Sequence, residues 1–393
     1  MPIRNRIAAM QEEVTAWRRA FHRHPELMFE THRTATFIAK KLREFGCDEV
    51  VTGIGRTGVV GVIKGNGDGA GRVVGFRADM DALPIIEATG LDYTSEVDGV
   101  MHACGHDGHS AMLLGAAKYL AETRNFNGTL VVIFQPAEEG GGGGREMCED
   151  GLMARWDVDE VYGMHNWPGH PAGEFAIRPG TFFAATDQFD ITITGRGGHA
   201  AKPHETIDPT VVASQLVLSL QSVVSRNADP IQKMVISVTS FETSSKAYNV
   251  IPGSVHLRVT IRTMSDDMRI LAKERLLAVA KTTAAVFGAV ADVRHYPGYP
   301  VMRNHPRETE YAAASARAVS GQCDYASEVM GSEDFAFMLE ERPGAYILIG
   351  NGDTAMVHHA KYNFNDDVIP AGISFWVEMA KNRLTTKDFY PAD

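Results

Sequence analysis

The chain has 393 residues, 44% of them apolar and 22% charged, which is ordinary for a soluble globular protein and more than one core of about 100–200 residues comfortably fills. Lys and Arg number 38 against 49 Asp and Glu, a formal net charge of −11, and no basic stripe offsets that balance, so nucleic acid is not an expected partner. No apolar stretch approaches the roughly 20 residues needed to cross a bilayer, and the start, Met1-Pro2-Ile3-Arg4-Asn5-Arg6, runs into an amphipathic pattern rather than a leader core. The expectation is a cytoplasmic protein with no membrane association. Its four widely spaced cysteines, Cys47, Cys104, Cys148 and Cys323, do not suggest a disulfide framework in so large a chain.

Ile7, Met10, Val14, Trp17 and Phe21 recur at three- and four-residue steps and predict an N-terminal helix ending before Pro25. A second helix is predicted over 34–45, stopped by Gly46. Apolar, β-branched runs at 58–64, 72–77 and 129–134 predict strands, with a helix over 109–120 between the last two. Alternating strands and helices argue for an α/β sheet with its site at strand ends. From 187 to 295 the order becomes strand (189–194), helix (209–225), strand (234–240), strand (255–262), helix (267–287), strand (290–295). This βαββαβ order is the split, ferredoxin-like unit, read as an inserted domain spanning 186–295. Helices near 309–319 and 334–339, a strand at 346–349 and a helix over 372–384 then resume a discontinuous first domain, 1–185 and 296–393.

The strongest chemical signal is Met101-His102-Ala103-Cys104-Gly105-His106-Asp107-Gly108-His109. Cys and His suit divalent transition metals, and a Cys-x-His spacing lets both heads reach one small volume; the plainer reading is a helix-capping loop with a buried thiol. Next comes Phe134-Gln135-Pro136-Ala137-Glu138-Glu139-Gly140 at a strand end. Adjacent carboxylates there project differently, so one can bind a cation while its neighbour acts as a base; a solvated acidic turn is the competing view. His165, in Met164-His165-Asn166, and His358, in Val357-His358-His359, follow strand-like runs, and each alone fits a packed or surface histidine equally well. Arg77-Ala78-Asp79-Met80-Asp81 offers carboxylates, Asp79 first, to orient ligand histidines. His199, in the glycine-rich 195–204 loop, is positioned to donate to an oxyanion. Trp167, Phe182 and Phe183 lie near motif ends as acyl-pocket or core residues.

Together these segments resemble the M20 metallopeptidase family, and within it the amidohydrolase branch of hippurate hydrolases, N-acyl-amino-acid deacylases and plant auxin-conjugate hydrolases. The resemblance runs through nearly the whole chain: His24-Pro25-Glu26-Leu27, 77–84, 102–109, 135–140, Met164-His165-Asn166, 195–199, Asn249-Val250-Ile251-Pro252, Gly331-Ser332-Glu333-Asp334-Phe335 and 358–366. It implies an α/β catalytic domain with a mixed, zinc-peptidase-like sheet, plus an inserted ferredoxin-like α+β lid or dimerisation domain. It further implies two divalent ions (zinc, manganese, nickel or cobalt) held by Cys104, His106, Glu139, His165 and His358. Glu138 would be the general base that activates a metal-bound water, and His199 an oxyanion donor reaching the partner subunit of a homodimer. Substrates would be N-acyl amino acids whose carboxylate meets polar groups such as Asn249. In many relatives outside this branch a bridging carboxylate and a ligand histidine stand where this chain has Cys104 and, by position, Arg77, which leaves the bridging arrangement open. His358 is preferred to His359 because the family aligns a single His before the Lys361-Tyr362 pair, although Ala360 stands where proline is common. An aminoacylase or dipeptidase, a non-catalytic metal- or conjugate-binding protein, and a redox or nucleophilic Cys104 paired with His106 are the competing functions.

Overall fold

The computed structural model describes residues 5–67 and 71–384; the first four residues of the predicted amphipathic start lie outside that range. In chain order the main elements are α1 (Asn5–Arg23), α2 (His32–Glu44), β1 (Glu49–Ile54), β2 (Gly58–Lys64), β3 (Val73–Asp79), α3 (His106–Thr123), β4 (Thr129–Gln135), β5 (Glu160–Pro168) and β6 (Phe175–Ile177). There follow β7 (Ala185–Thr194), α4 (Pro209–Ser222), β8 (Met234–Thr243), β9 (Ser254–Thr263), α5 (Asp266–Val286) and β10 (Val290–Pro297). The chain ends with α6 (Pro306–Ser320), β11 (Asp324–Tyr325), β12 (Gly344–Gly352) and α7 (Ile369–Leu384). It forms two compact units, one of Met1–Gly180, Arg303–Ser327 and Asp334–Asp393, the other of Thr181–Met302 and Glu328–Glu333.

The first unit is built on an eight-stranded mixed sheet in the order β1-β2-β4-β3-β5-β12-β6-β11. Its centre is parallel: β3 runs with β4 and β5, and β12 runs with β5. Six consecutive residues of β4 are buried, and because successive side chains point to opposite faces, both faces of the central sheet are covered. The apolar stripe of α1 (Ile7, Met10, Val14, Trp17, Phe21) joins α2, α3, α6 and α7 in one core against the sheet, where the Trp376 and Phe76 rings lie 4.7 Å apart. The Arg383 guanidinium from α7 bonds the buried Glu160 carboxylate at the start of β5.

The second unit carries the βαββαβ order in a four-stranded antiparallel sheet, β8-β9-β7-β10. Along β9 buried residues alternate with more open ones, the pattern of a sheet covered on one side. Apolar residues of α4 and α5 supply that cover. Both helices start at a side-chain cap: Asp208 accepts from the Thr210 N–H ahead of Pro209, and Ser265 accepts from the Met268 N–H.

Two expectations shift with the structure. The helix predicted over 109–120 begins three residues earlier, at His106, because Gly105 caps it in the left-handed region at φ 91°. His165 and Asn166 lie within β5 rather than after it. Phe182 and Phe183 are buried, with ring centroids 4.8 Å apart.

Candidate metal centre

The parallel centre of the sheet sends the carboxyl ends of β3, β4, β5 and β12 to one edge, where α/β sheets place their ligand sites. Asp79 closes β3, Glu138 and Glu139 follow β4, His165 sits near the end of β5, and His358 lies six residues beyond β12. Cys104 and His106 reach the same edge from the turn that opens α3. Between them only glycine fits: a Cβ at position 105 would sit 2.3 Å from Asn166 Nδ2 and 2.4 Å from the Tyr362 hydroxyl, and the φ of 91° is left-handed.

These side chains converge. The donor atoms of Cys104, His106 and His165 all lie within 4.8 Å of one another, as do those of Cys104, Glu139 and His358, and those of His106, Glu138 and Glu139. Cys104 Sγ is 3.3 Å from His165 Nε2, and His358 Nε2 is 3.2 Å from Glu139 Oε1. His106 Nε2 is 4.0 Å from Glu138 Oε2 and also from Glu139 Oε1. His359 turns away, its Nδ1 accepting from the Lys361 N–H at 3.0 Å.

The outer ring nitrogens set the orientation of the histidines. His106 Nδ1 donates to the Asp81 carbonyl at 2.9 Å and His165 Nδ1 to the Asn166 carbonyl at 2.6 Å, so each directs Nε2 inward, as metal-binding histidines do. His106 Nε2 and Glu139 Oε1 are buried atoms without a hydrogen-bond partner. A cation of the kind that Cys, His and carboxylate donors select would satisfy both.

The local field favours positive charge. Burial by itself lowers the pKa of His106, yet Asp79, Asp81 and Glu139 outweigh it and raise it to about 10. Burial, reinforced by His109, keeps His165 well below the usual histidine range and therefore neutral. The Cys104 thiol is pushed well above its ordinary value by burial and then by Glu139, Glu138 and Asp79. A nucleophilic or redox thiol needs the opposite shift, so this environment weighs against that reading and suits a thiol that gives up its proton only to a metal.

Behind the donors lies a second set of bonds. The Arg77 guanidinium, fully buried, donates to Gln135 at 2.8 Å, Asp79 at 2.7 Å and Asp334 at 2.9 Å. Asp79 accepts from His109 Nδ1 at 2.6 Å, and His109 Nε2 accepts the Asn166 N–H at 2.9 Å. Asn166 donates to the Cys104 carbonyl at 2.6 Å and accepts from the Tyr362 hydroxyl at 2.7 Å. In the Glu138-Glu139 turn, Ala137 stands at φ 54°, a conformation costing about 1–2 kcal/mol for a residue with a Cβ. The chain then folds back so closely that a Cβ on Gly143 would lie 1.7 Å from the Pro136 carbonyl oxygen.

Asp107, next to His106, anchors a buried charge cluster: His22 Nδ1 meets it at 2.8 Å and Arg18 at 3.6 Å, while His22 Nε2 lies 3.3 Å from Glu87. Burial alone would lower His22, but the bonds from Asp107 and Glu87 raise it to about 9. The protonated form is thus favoured in the folded state. Its contribution, about 2–3 kcal/mol, should be complete below pH about 6.5 and vanish as pH climbs through about 9. The thermal midpoint of the native chain should fall over that window, and the His22→Gln variant should lack that part of the fall; parallel curves for the two proteins would remove His22 as its cause.

In the second unit, His199 and Asn249 are brought together. His199 pairs with Val250 in a two-stranded ladder, and the Ala200 N–H bonds the Asn249 carbonyl at 3.0 Å. Both residues are exposed.

The sequence profile of peptidase family M20/M25/M40 matches residues 75–382. The chain belongs to this family. A hippurate hydrolase of Campylobacter jejuni is 40% identical over 96% of this chain and 98% of its own length, and an N-acetylcysteine deacetylase of Bacillus subtilis is 37% identical over 94% and 96%. The crystal structure of a dinuclear metal-binding M20 peptidase from Bacillus subtilis superposes with a TM-score of 0.82 at 33% identity, covering 96% of this chain and 99% of that one. This M20 protein is therefore a hydrolase of amide bonds with the two-part architecture of that family. None of its described helices is long and apolar enough to cross a membrane.

Proposed function

We propose that the protein is a metal-dependent amidohydrolase that releases the acyl group of N-acyl amino acids of the hippurate type. One observation carries the reading: four buried or half-buried donors and the exposed His358 converge at the sheet edge, two of the buried atoms lack a hydrogen-bond partner, and a further carboxylate, Glu138, stands beside them. Cys104, His106, Glu139, His165 and His358 would hold two divalent ions (zinc, manganese, nickel or cobalt), with Cys104 common to both donor groups. Bound there, the ions would supply Lewis acidity and a water of lowered pKa. Glu138 accepts the proton of the attacking water on its carboxylate and returns it to the leaving amine. Asp79 keeps the histidine cluster oriented. A pure binding site needs only the ligand carboxylate, so Glu138 beside Glu139 favours catalysis.

Residues 1–185 and 296–393 act in this reading as the catalytic domain and 186–295 as a lid through which two subunits pair. His199 donates a hydrogen bond to the oxyanion developing in the partner subunit's site, worth a few kcal/mol in comparable sites, and Asn249 meets the substrate carboxylate. A cytoplasmic location fits the four cysteines, all of them free thiols. The likeness to a deacetylase supports a second reading with a smaller acyl pocket. Elemental analysis should find two ions per chain, chelation should abolish hydrolysis and added metal should restore it. Benzoate release from hippurate set against acetate release from N-acetyl amino acids then separates the two readings. A metal-loaded protein that cleaves neither class, or activity indifferent to chelation, would refute the proposal.

A further inference from the structure

Beyond β12 the large sheet ends in β6 and the two-residue edge strand β11. There His170, Glu174 and Asp324 bring one imidazole nitrogen and two carboxylate oxygens within 4.8 Å of one another. None of the three belongs to the donor set assigned above, and all lie in the first unit. His170 Nε2 is buried and makes no hydrogen bond, and Asp324 Oδ2, at 3.9 Å, is beyond bonding reach. Glu174 accepts from the Gln322 side-chain amide at 2.6 Å, a donor that brings no charge. Among the described residues neither carboxylate pairs with a Lys or Arg. With the ring proton on Nδ1, a nitrogen lone pair and two negative oxygens therefore share one small volume, and the exposed Asp324 opens it to solvent.

The backbone holds these donors in place. The His170 carbonyl accepts the Gly352 N–H at 2.9 Å and the Glu174 carbonyl accepts the Gly350 N–H at 2.8 Å, which clamps the β5–β6 loop on the end of β12. A Cβ on Gly350 would lie only 2.0 Å from the Pro171 carbonyl oxygen. Asp324 is set by its pairing with Ala176 in the parallel β6–β11 ladder. Donors about 2.0–2.2 Å from a zinc ion stand about 3–3.5 Å from one another, so side-chain shifts of about 1 Å close the group around one.

We propose that His170, Glu174 and Asp324 form a third cation site, structural rather than catalytic, which takes a divalent transition ion and ties the β5–β6 loop to the edge strand β11. An imidazole beside two carboxylates selects such an ion over calcium or magnesium, which take oxygen ligands. A strand of two residues has little ladder of its own to hold it, and the bond through Asp324 would supply the missing anchor. With one nitrogen and no thiolate, this site should hold its ion less tightly than the pair at Cys104, so dialysis leaves two ions per chain and added zinc restores the third.

Native protein freed of loosely held metal by dialysis should, on equilibration with zinc, saturate at three ions per chain by elemental analysis, and at two in His170→Gln and in Asp324→Asn. Saturating zinc should raise the native thermal midpoint by about 3–6 °C. It should also slow amide exchange at Ala326, whose N–H bonds the Ile177 carbonyl at the end of the β6–β11 ladder. Neither effect should occur in the two variants. Native protein that saturates at two ions, or variants that still take up a third, overturns the proposal; so does a third ion that leaves Ala326 exchange unchanged, since it would lie elsewhere. Failure of both variants to fold overturns it as well, because side chains needed by the metal-poor fold are not held there for the ion. These measurements need no turnover, so their outcome is separate from that of the hydrolase reading.

Discussion

Glu138→Gln should retain both metal ions and lose turnover by about three orders of magnitude. Glutamine keeps the length and shape of the side chain but cannot take a proton, and a positioned acid–base group contributes about 10²–10⁴-fold. Because Glu138 is assigned outside the ligand set, elemental analysis should give the native stoichiometry and substrate affinity should change little. That pairing is what separates a base from a ligand: a lost ligand would lower metal content along with rate. Glu138 is mostly buried, 7% exposed, and 4.0 Å from His106 Nε2, so its carboxylate can face a water held at the cluster without direct bonding to the ring. Substantial residual hydrolysis in the variant would take Glu138 out of the role.

Arg77→Met should be the most destabilising single change near the site, by about 3–5 kcal/mol, because it leaves Asp79 and Asp334 buried without their cation. Burial by itself raises the pKa of Asp79; His106, Arg77 and His109 overcome it and hold the carboxyl well below the usual range. Asp334 has Gln135 and the Gly144 N–H at 2.8 Å as further donors, so Asp79 is the more exposed to the loss. Removing Arg77 should therefore disturb His109 through Asp79 and, through Asn166, the Cys104 turn. Arg77→Lys should recover only part of the stability, since one ammonium cannot reach Gln135, Asp79 and Asp334 from a planar fork. Urea unfolding followed by a probe in the first unit measures both; an Arg77→Met protein within about 1 kcal/mol of native would mean that the carboxylates find other partners.

Much of the architecture was legible because periodicity is a local signal. The α1 stripe and the βαββαβ order of the second unit each follow from side chains that alternate or recur within one element. The start of α3 was misjudged because a glycine in the left-handed region acts as the cap there, and glycine advertises no such role in an isolated sequence. The donor set needed the resemblance: Cys104 and His165 stand 61 positions apart and His358 farther still, and no spacing rule spans such distances. Arg77, His109, Asn166, Tyr362 and Asp334 escaped as a connected network since their partners are contributed by strands distant in the chain. The Asp81 carboxylate's acceptance of the Glu138 and Glu139 N–H groups, each at 3.0 Å, was the least visible, since backbone amides carry no residue identity. A carboxylate spaced two residues after Asp79 in an apolar stretch was the only hint.

The same seclusion that raises Cys104 extends to the other thiols: burial lifts Cys47 to about 12 and Cys323 to about 11, and pushes Cys148 higher still. Attack on peroxide or alkylating reagents requires the thiolate, a form all four side chains suppress at neutral pH. Protein lacking its ions should consequently tolerate air and survive storage without added reductant, and then accept metal with its sulfur chemistry intact.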